Sequence, residues 1–415
     1  MRASYWQRRL ASALLLAFPT VALGRDGDEI TLDEAMDAAR LSPSMAAAEA
    51  SVGEERGELR SARRLIAENP YVVIAANPTG EETLAEFEVT QQFGVSGQRL
   101  ARAAAARSDL DVARADANDV ARLLELDVAV AYFEALAWEE RADLADEDVV
   151  LTQELLVIAA ARRDGGADAP IAYELARIRK GEAERERVVA HAERRAAAVR
   201  LTALIGLDPA NPVDPVGDLL SPKAMPPVEE LVASALQHRP DVTALTDEAA
   251  AARARRHLAL ASSVPDLTIG ARYDASYGVP GWVGLVGVSV PLFDQNNGGR
   301  ASARSAEDRV EAELEGLRLT VAADIRIAWE RWDAARQAVA VYDSDLLAAQ
   351  DEALRMLTRA YEAGKLDYSD AAIGRRERLD SRLAQIDAEL GLLVADASLR
   401  AAAGIPVSTT NGGSR

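Results

Sequence analysis

The chain contains no cysteine and only three histidines in 415 residues, and this scarcity limits its chemistry. Without cysteine it can form no disulfide framework. His191, His238 and His257 are scattered, so a tight transition-metal site made by this chain alone is not expected. A Ser-His-Asp grouping is also missing, and Gly298-Gly299 lacks the Lys-Ser or Lys-Thr of a phosphate loop. The sequence therefore predicts neither an enzyme nor a cofactor-binding protein.

Basic residues are also outnumbered by acidic residues. The chain has 47 lysines and arginines against 67 acidic residues, which gives a formal net charge of −20. A protein this acidic repels the phosphates of nucleic acid instead of releasing their counterions. We therefore expect no nucleic-acid partner.

Long hydrophobic runs are missing as well. Residues 1–24 are expected to be a signal peptide, with a basic start, the short apolar run Leu10–Phe18 and the small-residue cleavage site Ala22-Leu23-Gly24. No other segment approaches the ~20 consecutive apolar residues of a membrane-spanning helix. If the protein enters a membrane, we expect it to do so as a closed β-barrel.

The sequence does contain an internal duplication. Landmarks of the first half recur in the second half at nearly constant spacing. The matching pairs are Leu32–Met36 with Val228–Val232, Ser42-Pro43-Ser44 with Arg239-Pro240-Asp241, Gly97-Gln98-Arg99 with Gly298-Gly299-Arg300, Gly166 with Gly364, and Leu201–Gly206 with Leu399–Gly404. Such self-similarity predicts two copies of one supersecondary unit that pack side by side.

Each copy contains two segments in which apolar and polar residues alternate. The predicted strands are 71–77, 82–93, 266–278 and 282–293, which form one hairpin in each copy. The polar faces carry Glu86, Glu88, Arg272 and Asp274, which we expect to line water. A transmembrane barrel with lipid outside and water inside has this pattern, and a two-sided soluble sheet is the alternative. Because two hairpins cannot close a barrel, several chains would have to contribute.

Long helices follow the hairpins. Residues 98–164 contain no glycine or proline and predict a rod of about 100 Å. The matching stretch, 300–363, contains only Gly316, and its apolar residues step by four and three from Val321 to Leu346. This spacing is typical of a coiled-coil seam, so a second long helix is expected there.

Short glycine turns reverse these long helices and complete the predicted domain organisation. The reversals contain Gly165 and Gly166 in the first copy and Gly364 and Lys365 in the second. The predicted boundaries are 25–207 for the first repeat with a helical hairpin at 98–205, 208–227 for a proline-rich connector on the outside of the bundle, 228–405 for the second repeat with a hairpin at 266–293 and a helical hairpin at 300–403, and 406–415 for a disordered tail.

The chain resembles the TolC-like outer-membrane efflux proteins over essentially all of its mature length. The resemblance depends on the duplication, on the strand endings Val89–Phe93 and Val288–Phe293, and on the glycine turns. Two further stretches, Phe93–Arg102 and Val290–Gly298, resemble the heavy-metal cation (cobalt–zinc–cadmium) branch, although Ser96-Gly97-Gln98 replaces its usual double glycine and lysine. The fold implied is mainly α with β, a trimeric twelve-stranded outer-membrane barrel continued by a periplasmic helical tunnel.

The resemblance also implies partners and sites. Family members dock on a periplasmic adaptor protein and an inner-membrane pump, which is proton-driven in the metal branch. The tips at Gly165, Gly166, Gly364 and Lys365 are then the adaptor-docking surface, and Asp370 with Asp367 is a candidate periplasmic gate. Export of organic drugs, type I secretion, and a periplasmic coiled-coil scaffold remain alternatives. Both acids could instead simply favour the positive end of a helix.

Overall fold

The computed structural model describes residues 29–64, 66, 68–79, 82–166, 170–219, 224–274, 281–288, 293, 295–342 and 344–407. The expected signal peptide and most of the expected tail lie outside this part of the chain. The first half comprises β1 (Glu29–Ile30), α1 (Leu32–Ala39), α2 (Pro43–Ala62), β2 (Tyr71–Thr79), β3 (Glu82–Phe93), α3 (Gln98–Asp164) and α4 (Pro170–Leu204). The second half comprises β4 (Asp214–Pro215), α5 (Val228–His238), α6 (Pro240–Ala261), β5 (Leu267–Asp274), β6 (Gly281–Val288), α7 (Asn297–Val339), α8 (Ser344–Glu362) and α9 (Tyr368–Ala403).

The two hairpins join into one antiparallel sheet of four strands in the order β2-β3-β5-β6. The central pairing sets Glu86 opposite Asp274 and Glu88 opposite Arg272. All four predicted strands are present, and the parts of them at 275–278 and 289–292 lie outside the described residues. Both edge strands, β2 and β6, have a neighbour on one side only within the described chain.

The first long helix has the predicted bounds. Helix α3 runs without a break for 67 residues and ends at Gly165. Alanines such as Ala129, Ala137 and Ala159 are fully buried where it packs. Small side chains let helix axes approach closely, so long helices can pack together although few large apolar side chains lie between them. No described helix is both long enough and apolar enough to span a membrane.

The second long helix differs from the expectation. It ends at Val339, and a separate helix, α8, begins at Ser344. The seam packs as expected at Val321, Ile325 and Trp332, which are buried, but Leu346 is exposed. The prediction of one continuous rod was therefore wrong. The sequence there, Val341-Tyr342-Asp343-Ser344, combines weak helix formers with two residues that favour helix starts.

The two repeats close in the same way, as the duplication predicts. Gly206 adopts a φ of +81°, and a side chain there would lie 3.1 Å from Pro43 Cδ. Gly404 adopts a φ of +68°, and a side chain there would lie 3.3 Å from Arg239 Cγ. In each copy the end of the returning helix therefore packs against the joint between the two short helices.

The connector is not wholly external. Its strand β4 pairs in parallel with β1, and Val213 is buried in the main apolar core. The Tyr132 hydroxyl of α3 donates to the carbonyl oxygens of Val216, at 2.6 Å, and Ile30, at 3.1 Å. Because backbone groups of a buried segment need partners, this tyrosine fastens the connector to the rod.

Candidate functional site

The polar face of the sheet brings together residues that are distant in sequence. Arg272 Nε lies 3.1 Å from Glu86 Oε1 and 3.1 Å from Glu88 Oε2. The register pairs Asp274 with Glu86. Three of the four residues expected to line water, Glu86, Glu88 and Arg272, therefore share one side of the sheet, and whether that side encloses a lumen stays a prediction.

The opposite face of the sheet is apolar and uncovered. Ile74 and Val286 are each 77% exposed, and Trp282 is 67% exposed. The Tyr273 and Trp282 rings contact each other across β5 and β6, with centroids 5.4 Å apart and ring planes inclined by 58°. A contiguous exposed apolar surface of this kind marks contact with another protein or with a membrane.

One glycine sets the spacing of the central strands. A Cβ at Gly270 would lie 2.6 Å from the Val89 carbonyl oxygen and 2.6 Å from Thr90 Cγ2. The backbone oxygen cannot move without breaking the β3–β5 ladder, so only glycine fits there. The sequence alternation does not reveal this close approach.

The junction between sheet and helices has an organising carboxylate that sequence analysis missed. Asp266 accepts hydrogen bonds from Gln92 Nε2 at 2.9 Å and from Gln98 Nε2 at 3.0 Å. Gln98 is one of the residues that depart from the metal-branch pattern, and its bond to Asp266 gives this departure a structural role. No signal in the sequence marks Asp266, because its partners come from the other repeat.

The helix tips are glycine turns. Gly166 and Gly364 have φ values of +71° and +72°, which favour glycine, whereas Gly165 is right-handed. The amide of Lys365 donates to the Ala360 carbonyl oxygen at 2.9 Å, which closes the end of α8.

An unforeseen arginine joins the two tips. Arg162 Nη1 of α3 donates to the Tyr361 carbonyl oxygen at 2.9 Å, and its guanidinium lies 5.0 Å from the centre of the Tyr361 ring. A Cβ at Gly364 would lie 2.9 Å from the same Arg162 nitrogen. A larger residue at 364 would therefore displace Arg162 as well as strain the turn. The sequence showed the glycines but not this partner.

The two candidate gate residues form a helix cap. Asp367 is the N-cap of α9 and forms a reciprocal capping box with Asp370, whose carboxylate accepts from the Asp367 amide at 3.4 Å. Both side chains are exposed, and Ile373 one turn further is 57% exposed. Within a single chain, the two acids therefore do serve the end of a helix, and their role as a gate remains a prediction. In the described chain no group of His, Cys, Asp or Glu could hold a metal ion.

Buried charge fastens α8 and α9 to α3. Arg375 pairs with Asp148, and both side chains are about 6% exposed. Nearby, Arg378 binds Glu147 at 2.9 Å and Asp351 at 2.7 Å, so one guanidinium links three helices. Burial would raise the pKa of Asp351, but its hydrogen bond to Arg378 and the surrounding arginines lower the pKa below its usual value.

Comparisons with known proteins agree with this architecture. The sequence profile of the family described as "Outer membrane efflux protein" matches residues 231–405. The cobalt-zinc-cadmium resistance protein CzcC of Cupriavidus metallidurans is 26% identical over 385 residues, which is 91% of this chain and 90% of that protein.

Two solved structures share the fold. A membrane protein from Pseudomonas aeruginosa superposes with a TM-score of 0.76 at 20% identity, over 90% of this chain and 93% of that one. The open state of the MtrE outer membrane channel of Neisseria gonorrhoeae superposes with a TM-score of 0.73 at 18% identity, over 91% and 89%. Residues 231–405 therefore match the outer membrane efflux protein family, and the fold of the chain is shared with a solved outer membrane channel.

Proposed function

We propose that this chain forms the passive exit duct of a tripartite heavy-metal efflux system. It acts as a homotrimer in the outer membrane, together with a periplasmic adaptor and a proton-driven inner-membrane pump. The observation that carries the proposal is the sheet, which joins a charged face to an exposed apolar face at one end of the long helical rod. A channel wall needs this combination, because one side meets lipid and the other meets water.

The open sheet edges support a trimer. Strands β2 and β6 leave one row of backbone groups each without a partner within the described chain. Open edges promote association, and closure of a sheet into a barrel removes them. In a three-fold ring, β6 of each chain meets β2 of the next, and three four-stranded sheets make twelve strands. Edge pairing of this kind also seals the barrel against lipid.

The tips at Gly165, Gly166, Gly364 and Lys365 are the proposed adaptor-docking surface. Arg162 supports this assignment, because it joins both tips of one chain into a single surface. An adaptor that docks at one tip would then also affect the other tip, because Arg162 connects the two. The glycines are required by the turns in any case, so their presence alone does not carry the assignment.

The metal substrate is proposed from the relative named for cobalt-zinc-cadmium resistance. Substrate choice and energy would belong to the pump, because the chain contains no nucleotide-binding motif. Expressed alone, the chain should give no resistance. Expressed with its adaptor and pump in a sensitive host, it should lower cellular zinc, cobalt or cadmium, measured by elemental mass spectrometry. Resistance confined to organic compounds would overturn the metal assignment and keep the channel.

The gate is proposed at Asp370, where three-fold symmetry would gather three carboxylates around a narrow pore. The capping box suggests a sharper variant than alanine. Asp370→Asn removes the charge but keeps an oxygen that can accept from the Asp367 amide, so the helix cap survives. Single-channel recordings should then show weaker cation selectivity and weaker divalent block, with unchanged thermal stability. Unchanged selectivity and block would leave Asp370 as a cap only.

A further inference from the structure

Exposed arginines gather where the helices meet the sheet. Arg60 lies in the last turn of helix α2 and is followed by Arg63 and Arg64, and Arg99 and Arg300 lie in the first turns of helices α3 and α7. All are exposed, as is Arg304 one turn further along α7. We call Arg60, Arg63, Arg64, Arg99, Arg300 and Arg304 the arginine belt. The strand ends at Tyr71, Phe93, Leu267 and Val288 lie at one edge of the sheet, and the belt arginines precede or follow these ends along the chain.

The belt arginines have no acidic partners within the described chain, although most of its arginines do. Two carboxylates of this region are already engaged. Asp266 accepts from Gln92 and Gln98, and Glu307 is bound by Arg256 at 3.1 Å. Two more arginines without an acidic partner lie next to the belt along the helices, Arg56 one turn before Arg60 and Arg102 one turn after Arg99. The other described arginines that lack one, Arg195, Arg200, Arg331 and Arg359, are scattered along α4, α7 and α8.

Helix stability does not account for Arg99 and Arg300. Both lie in the first turn of a helix, where the helix dipole disfavours positive charge. Neither α3 nor α7 has an acidic residue in its first turn, whereas α1, α5 and α9 do. The two arginines occupy equivalent positions in the two repeats. Their turns are held to the same helix end, since Ser96 Oγ donates to Ala261 O at 2.8 Å and Asn296 Nδ2 donates to Ala259 O at 2.9 Å.

Large apolar side chains are exposed beside the belt. Val95 and Leu100 are 60% and 70% exposed, and Phe293 is fully exposed. Arginine next to exposed apolar residues is typical of a membrane interface, where the apolar groups enter the acyl boundary and the guanidinium groups stay at headgroup level. Guanidinium also matches phosphate in geometry and charge.

We propose that the arginine belt binds the phosphate groups of anionic phospholipids in the periplasmic leaflet around the channel. The inference rests on the proposed insertion of the sheet into the membrane, because insertion brings the belt to headgroup depth. The anionic lipids take the place of the acidic partners that the belt arginines lack within the described chain. They also fix the depth of the channel in the membrane. The remainder of this acidic chain would repel the same lipids.

The test uses the full-length protein reconstituted in nanodiscs that contain either phosphatidylcholine alone or phosphatidylcholine with phosphatidylglycerol. The variant is Arg99→Gln/Arg300→Gln, and the matched control, with the same change in net charge, is Arg195→Gln/Arg331→Gln. Each basic residue near an anionic surface contributes about 1 kcal/mol, so the belt variant should bind phosphatidylglycerol roughly thirtyfold more weakly. Retained lipid is counted by native mass spectrometry at low and high salt.

Wild type and control should retain phosphatidylglycerol in preference to phosphatidylcholine, and high salt should reduce the preference. Equal retention of both lipids by wild type, or equal loss in the variant and its control, would overturn the inference. Failure of the wild-type chain to insert into phosphatidylcholine bilayers would instead overturn the proposed channel. Thermal unfolding in neutral detergent should be unchanged in the belt variant, which excludes a folding defect as the cause.

Discussion

Tyr132 holds the proline-rich connector, residues 208–227, against helix α3 through one hydroxyl group. Its ring is 3% exposed and its hydroxyl donates to carbonyl oxygens on both sides of the β1–β4 pair. Burial raises its pKa to about 12, and the hydrogen bond to Val216 only partly offsets this rise. The protonated form is therefore the one that the folded state requires.

This tyrosine predicts a stability loss with a defined pH dependence. Tyr132→Phe removes the hydroxyl donor of the Val216 carbonyl oxygen, while the Ile30 carbonyl oxygen still accepts from the Val216 amide. The variant should therefore lower the free energy of unfolding by about 1–3 kcal/mol at pH 8. Because the folded pKa lies above the unfolded value of about 10, the wild-type contribution is complete below pH 10 and is lost as the pH rises towards 12. The unfolding midpoints of the wild type and of Tyr132→Phe, measured in detergent, should therefore converge above pH 10. A gap that stays constant up to pH 12 would contradict this assignment.

At the level of elements, the sequence predicted what local pattern determines. Helix α3 has the expected bounds because nothing between Gln98 and Asp164 interrupts it. The break after Val339 was missed because no glycine or proline marks it. What holds α8 in place comes from other elements, chiefly Asp351 bound to Arg378 of α9.

The candidate sites divide in the same way. Period-two alternation was enough to place Glu86, Glu88 and Arg272 on one face, because strand geometry is local. Asp266, Arg162 and the buried Arg375–Asp148 pair were missed, because each acts through a partner more than a hundred residues away. Sequence spacing carries no information about such contacts without an alignment.

The tips predict a difference between two adjacent arginines. Arg162 reaches across to the C-terminal end of α8, whereas Arg163 binds Asp164 and lies 4.0 Å from the centre of the Tyr173 ring on its own hairpin. Arg162→Met should loosen the end of α8 and speed amide hydrogen exchange in 355–365. Arg163→Met removes the same charge and should leave that segment unchanged. Equal exchange in both variants would mean that Arg162 does not join the tips.

At the scale of the whole molecule, the duplication joins two β-hairpins, each weak alone, into one four-stranded sheet. A lone hairpin is marginal in water, and the two copies supply one hairpin each to a single sheet. The long helices of the two copies also pack together, through small buried residues. The chain therefore presents two similar halves, and the proposed trimer would have six similar helical hairpins.

The absence of cysteine makes the orientation of the sheet directly testable. In the proposed membrane-inserted trimer, Arg272→Cys and Asp274→Cys should react with a membrane-impermeant maleimide, while Ala271→Cys and Tyr273→Cys should be protected. The reason is energetic, since an arginine facing lipid at mid-bilayer would cost about 2–4 kcal/mol. A water-soluble scaffold gives a different pattern, because the apolar face is as exposed as the polar face in the isolated chain and both sets would react. Protection of 272 and 274 with labelling of 271 and 273 would reverse the register and place the carboxylates of Glu86 and Glu88 against lipid.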